Sequence, residues 1–193
     1  MTTAQMKLYR RAVADAAWAL GLDRYEAEEY RKKVLFDETG KESSKDVDAK
    51  GEFDAIMARH LADADRFDDA AKYAGGDAKR QAYIAQACAA QIVQLKGGEG
   101  GEDAARNYLA GILRQSRLAD MTIAADGTWW LDLPAGAAFA VYCMLDKYRR
   151  WLLKDFGLAN KDLAFSARVR YRVCGPRIVI REGVSGDYYA RVA

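Results

Sequence analysis

Phe53, Ile56, Met57, His60 and Leu61 fall at i, i+3, i+4, i+7 and i+8, a single apolar stripe down one side of a helix. No strand can use that spacing, because alternate residues of a strand leave on opposite faces. Similar stripes recur along most of the chain, and only 2 prolines interrupt 193 residues. The sequence therefore predicts a mainly α protein with six main helices.

The spacing predicts a first helix over about 6–20, with Leu8, Ala12, Ala16 and Leu20 inward and Gly21 as its stop. A second helix opens on Asp23, three residues before Glu26, the pattern of a capping box. It turns Tyr30, Val34 and Leu35 inward, with Glu28–Lys32 and Glu29–Lys33 as pairs on the wet side. Ser43, Ser44 and Asp46 are caps for the third helix, which carries the stripe. Residues 65–77 are charged, end in Gly75-Gly76, and read as a linker with one turn of helix near Phe67. A fourth helix over about 78–95 stops at Gly97-Gly98-Glu99-Gly100-Gly101. A fifth covers about 103–115. Asp126-Gly127 between Thr122-Ile123 and Trp129-Trp130 is a hairpin signal near 121–131. Pro134 suits the first turn of a sixth helix over about 134–156.

The period then changes. Phe165, Ala167, Val169, Tyr171 and Val173 alternate with Ser166, Arg168, Arg170 and Arg172, which predicts a strand with one buried face. Residues 177–182 and 187–192 are return strands, and so small a sheet needs the sixth helix for support. The organisation follows as 1–64, an N-terminal helical module; 65–77, a linker; 78–157, a second helical module with a hairpin insert; and 158–193, a basic C-terminal antiparallel β element. Each module repeats one plan of three helices, and each is too small for a core of its own, so the two are expected to pack together.

The formal net charge is +2, so no polyelectrolyte partner follows from the total. The distribution is uneven: residues 1–140 net −4 and residues 141–193 net +6. The 3 cysteines include no CxxC pair, which argues against a disulfide framework or a zinc site and fits a reducing compartment. No apolar run is long enough to span a bilayer or to act as a leader, so a cytoplasmic protein without membrane contact is expected.

Leu20-Gly21-Leu22-Asp23, Tyr30-Arg31, Thr39-Gly40-Lys41 and Ser43-Ser44-Lys45-Asp46, followed by the amphipathic helix ending at His60, resemble the GemA-like proteins of Mu-like prophages. The resemblance covers about 45 residues, and the basic tail lies outside the pattern. It implies a regulatory phage protein in the cytoplasm of a bacterial host, linked to host gene expression or DNA topology. It implies no catalytic residues.

The residues suggest binding rather than catalysis. His60 is the only histidine, sits on the apolar stripe and reads as a packing residue. Thr39-Gly40-Lys41-Glu42-Ser43-Ser44 lacks the spacing of a phosphate loop and reads as a capped turn, although Lys41 and Lys45 at a helix start could meet a phosphate. Asp63, Asp65, Asp68 and Asp69 lack metal-loop spacing, so neither metal nor cofactor is expected. Arg106, Arg114 and Arg117 precede the hairpin in the order of a winged helix, though an ordinary surface helix is the plainer reading. The best pointer to nucleic acid is Arg168, Arg170 and Arg172, with Arg177 and Arg181, in the tail and Lys147, Arg149, Arg150 and Lys154 on the sixth helix, interleaved with Tyr148 and Trp151; a solvated edge-strand face is the equally weighted alternative for the tail arginines. The expected function is a non-enzymatic, nucleic-acid-associated regulator. The alternative is a module that binds a host protein without touching DNA, using its sheet edge for strand addition.

Overall fold

A computed structural model describes residues 1–98, 102–115, 136–167, 169–174, 177–182 and 187–192. Among them are seven helices: α1 (Thr3–Leu20), α2 (Arg24–Thr39), α3 (Gly51–Asp63), α4 (Phe67–Ala74), α5 (Ala78–Leu95), α6 (Glu102–Gln115) and α7 (Ala137–Asp155). A 3-10 turn (Asn160–Leu163) leads to the strands β1 (Val169–Cys174), β2 (Arg177–Glu182) and β3 (Asp187–Val192), which form an antiparallel sheet in that order. The protein is mainly helical with a small C-terminal sheet, as its periodicities predict. No helix among the described residues is long and apolar enough to cross a membrane.

The helix ends follow local chemistry. The Asp23 carboxylate accepts the backbone N–H groups of Tyr25 and Glu26, and Glu26 accepts that of Asp23, which completes the expected capping box. Gly21 closes α1 at φ 72, where a side chain would be strained, and a Cβ there would sit 2.7 Å from Arg172 Nη1. The third helix departs from expectation. Ser43, Ser44 and Asp46 do not cap it; it starts at Gly51, where Lys50 supplies no side-chain cap. The loop before it closes on itself, with Glu52 Oε2 accepting Asp48 N at 2.8 Å and Lys41 Nζ at 2.6 Å.

The residues read as a linker form α4 instead. Their charges mislead: Phe67, Ala70 and Ala74 are buried, while Asp68 and Asp69 point outward toward partners. The hairpin expected near 121–131, Pro134 and Arg168 lie outside the described residues.

One apolar core runs from Tyr9 and Ala12 on α1 through the α3 stripe, α4 and α5 to Leu109 on α6 and Leu145 on α7. Phe53, Ile56, Met57, His60 and Leu61 are all buried, as their spacing requires. Ala12 and Ala16 are buried as predicted, but Leu8 is 39% exposed and Leu20 is exposed too, and Tyr9 turns inward beside the alanines instead. Small alanines let α1 approach α3 closely, so the wider apolar side chains need not face in. On α2 the wet-side ion pairs form at i,i+3, Glu28–Arg31 and Glu29–Lys32, rather than at i,i+4.

A second core joins the sheet to the bundle. Tyr171, Val173, Ile178 and Ile180 share one sheet face and pack on Leu153, Phe156, Leu158, Leu163 and Leu95. The register places Tyr171 opposite Ile180 and Val173 opposite Ile178, so alternation alone selects this face. The end of α7 supports the sheet, as expected. The opposite face of β1 is not free either: α1 packs against it and leaves Arg170 and Arg172 half-buried.

Candidate nucleic-acid interface

The arginines of β1 meet α1. Arg170 Nη2 lies 2.6 Å from Asp15 Oδ1, and Asp15 is buried. Burial raises the Asp15 carboxyl, and Arg170, Arg66 and Arg11 pull it back. Arg172 lies over the Trp18 ring, 5.6 Å from its centroid, with Nη1 3.4 Å from the Trp18 carbonyl at the negative end of α1. The expectation that these side chains stand free for phosphate is therefore corrected: period two puts them on the non-core face, but there α1 packs against them and supplies their acceptors.

Other arginines tie the tail to the body in the same way. Arg11 Nη2 donates to the Phe165 carbonyl at 2.6 Å, with its guanidinium over the Phe165 ring. Arg66 is buried and donates to the carbonyls of Asp162 and Val169, each at 2.7 Å.

Arg149 is 1% exposed, so it is no nucleic-acid contact. It donates to Asp146 Oδ1, to Gln91 Oε1 at 3.1 Å and to Tyr171 Oη at 2.8 Å, and it stacks over Phe67. Its helical position faces α5, where a guanidinium with this many acceptors is tolerated despite burial. Arg150 bridges Asp146, at 2.5 Å, and Asp68 on α4. Lys41 is spent on Glu52 and the Asp46 carbonyl. Lys45 and Arg177 are exposed, Arg177 opposite Cys174 at the sheet end. Arg106 pairs with Asp103 at 3.7 Å, and the side chain of Arg114, Arg117 and the hairpin lie outside the described residues.

One basic surface remains open: the outer side of α7. Val141, Tyr142, Leu145, Arg149 and Leu153 face inward, which turns Met144, Lys147, Tyr148, Trp151 and Lys154 outward. Trp151 is 56% exposed and Tyr148 37%. Their rings stack, with centroids 5.7 Å apart and planes 13° from parallel. Lys147 and Lys154 flank the pair on the rim of a shallow groove that also takes in Met144, Arg150 and Asn160. Neither lysine has a carboxylate partner among the described residues. The arrangement is a flat aromatic platform between two solvent-exposed cations.

His60 is a packing residue. Its Nδ1 lies 3.0 Å from Tyr30 Oη, which donates to Asp63 at 2.6 Å, and the Tyr9 and Tyr30 rings flank it. Burial, with Arg59 and Arg31 nearby, lowers its pKa to about 3 and keeps it neutral. The acidic run is structural as well: Asp63 holds Tyr30 and Tyr83, Asp68 holds Tyr142 and Arg150, and Asp69 holds the Phe165 backbone. No group of three or more metal-ligating side chains occurs among the described residues. Cys88 is buried, with its thiol pushed up by burial, and Cys143 and Cys174 are exposed.

Sequence reasoning missed Asp15, Arg66 and Asp146, the buried charges that hold this arrangement. A charge within an apolar helix face was the available signal, since Asp15 falls three residues after Ala12 and beside Ala16. The chain matches no protein-family model, no curated protein and no solved structure.

Proposed function

We propose that this chain is a non-enzymatic regulatory protein that binds single-stranded nucleic acid through the outer side of α7. The observation that carries this reading is the stacked, exposed Tyr148–Trp151 pair between Lys147 and Lys154. Bases stack on such rings regardless of sequence, and unpaired ammonium groups beside them meet the backbone phosphates. The GemA-like motif supports placing this activity in prophage control of host gene expression or DNA topology, in the host cytoplasm.

The test is fluorescence anisotropy with a labelled oligonucleotide across a salt gradient. Binding should weaken linearly in log salt, and Tyr148→Ala or Trp151→Ala should each cost about 1–3 kcal/mol of affinity. A second reading draws on the exposed Phe139 and Met144 of the same helix, since aromatic and Met side chains anchor protein interfaces. If wild type binds no nucleic acid at low salt while a host protein is retained and released by Trp151→Ala, the host-protein reading replaces the first.

A further inference from the structure

A second groove, of about 630 Å³, runs between α4 and the flank of α7 that carries Phe139. It shares Lys147 and Arg150 with the groove beside Tyr148 and Trp151, so the two join across the outer side of α7. Phe139 stands in it 44% exposed. Its ring leans on that of Tyr142, with centroids 5.9 Å apart, and the Tyr142 hydroxyl donates to Asp68 at 2.8 Å. Phe139 is therefore supported from beneath and open to solvent.

The charges along this path favour an anion. Lys72, Lys147, Arg150 and Lys154 line the two grooves, against the carboxylates of Asp68 and Asp146. Both carboxylates are already occupied: Asp146 accepts from Arg149 and Arg150, and Asp68 from Tyr142 and Arg150. The ammonium groups of Lys147 and Lys154 stand in solvent. Lys72 meets Asp69 at 2.8 Å, but its side chain is 72% exposed, and so open an ion pair yields readily to a phosphate.

The spacing of the rings sets a length. From Phe139 to Tyr148 the helix rises roughly 13 Å, at ~1.5 Å per residue. A strand with stacked bases advances ~3.4 Å per nucleotide, so about four steps separate the rings. At about 100° per residue, Lys147 falls between Phe139 and Trp151 on the helix surface. We propose that the two grooves form one track for a single nucleic-acid strand of about four to six nucleotides, with bases on Tyr148–Trp151 at one end, a base on Phe139 at the other, and phosphates on Lys147, Lys154 and Lys72. This track rests on the reading of α7 as a single-strand surface; it adds a length, a second stacking site and a contribution from α4.

A duplex does not suit this geometry, because its bases stack on one another and leave neither ring a free base face. A single strand offers such faces at every nucleotide, and aromatic stacking accepts all bases, so length should matter more than sequence.

The test is fluorescence anisotropy on the full chain with end-labelled oligothymidylates of three, six and twelve nucleotides at low salt. The trimer reaches only one set of rings. Trp151→Ala should weaken it by about fivefold or more, and Phe139→Ala by less than about twofold. The hexamer reaches both, so it should bind about tenfold or more tightly than the trimer, and Phe139→Ala should remove most of that gain. Lys72→Ala, an exposed change on another helix, should weaken the hexamer about threefold and leave the trimer unchanged. The dodecamer should gain over the hexamer only what its extra registers supply. A hexamer no tighter than the trimer, or one indifferent to both Phe139→Ala and Lys72→Ala, would overturn the track, while trimer binding that needs Trp151 would leave α7 as a single-strand surface. A gain from six to twelve nucleotides as steep as that from three to six would also overturn it, because the strand would then run past Phe139. Failure of all three to bind would sink the α7 surface and the track together.

Discussion

The seam between β1 and α1 and the outer side of α7 both draw cations from the same +6 segment, yet they use them in opposite ways. In the seam each guanidinium has an acceptor supplied by the acidic body: Asp15 for Arg170 and the Trp18 carbonyl for Arg172. On α7 the arginines again turn to partners, Arg149 inward and Arg150 to Asp68 and Asp146, while Lys147 and Lys154 stay in solvent. Guanidinium, flat and weakly hydrated, suits burial with several acceptors; ammonium, compact and strongly hydrated, does not. The charge asymmetry of the sequence thus reports how the tail is fastened as much as what it could bind.

The comparison breaks most sharply at Arg149. Arg149→Ala should cost about 3–5 kcal/mol, because it strands Asp146, Gln91 Oε1 and the Tyr171 hydroxyl in the interior. Urea denaturation followed by circular dichroism measures this. A loss below about 1 kcal/mol would mean the network relaxes without it.

The seam should respond less. Arg170 is partly exposed and its carboxylate partner is not, so Arg170→Ala should cost about 1–3 kcal/mol by leaving Asp15 unpaired. Asp15→Ala in that background should recover part of the loss, and a double-mutant cycle would read the coupling. Additive costs would show that the pair does not fasten the sheet. Removing Arg170 and Arg172 together is therefore a stability change first, which makes the seam a poor place to probe nucleic-acid contact.

Much of the architecture was legible because it is periodic. The α3 stripe, the Asp23–Glu26 box and the three strands all follow from spacing within one segment. What was not legible depends on pairing between distant segments. Nothing near Arg170 in sequence announces Asp15, 155 residues earlier, and nothing near Asp68 announces Tyr142. The same limit turned residues 67–74 into an apparent linker, since their charges are matched only in three dimensions. On α1 the alanines Ala12 and Ala16 were placed rightly, and the ends of the stripe were not: hydrophobicity favours Leu8 and Leu20, whereas the packed helix buries Tyr9. On the candidate surface, Tyr148, Trp151 and Lys154 were visible in sequence; that they stack and stay open depends on which side of α7 is buried.

Two buried groups set opposing pH slopes. His60 is held neutral, with a pKa of about 3, so the unfolded chain binds a proton that the folded chain refuses as pH falls below 6.5. That term removes stability on acidification, up to about 1.4 kcal/mol per pH unit. Asp65, pushed up to about 7, does the reverse: between pH 4 and pH 7 the folded chain holds a proton that the unfolded chain has lost. Its term adds stability on acidification over that window. In Asp65→Asn only the His60 slope of the two remains, so the variant should lose stability between pH 6.5 and pH 4 more steeply than wild type. Parallel denaturation profiles would show that Asp65 is ionised throughout.

The smallest expected effect on stability separates the two regions most cleanly. Lys147 and Lys154 are solvated and unpaired, so changing both to Ala should alter folding free energy by no more than about 0.5 kcal/mol. If α7 carries the nucleic-acid contact, each ammonium neutralises one phosphate, and each contributes about −0.7 to the slope of log K against log salt on a single strand. The double change should flatten that slope by about 1.4 while the protein melts as before. Arg170→Ala should do the converse, with a lower melting temperature and an unchanged slope wherever the variant is folded. Should the lysine variant keep its full salt dependence and the seam variant lose it, the roles of the two surfaces are exchanged: β1 must then part from α1 to bind, and the stacked rings of α7 belong to another partner.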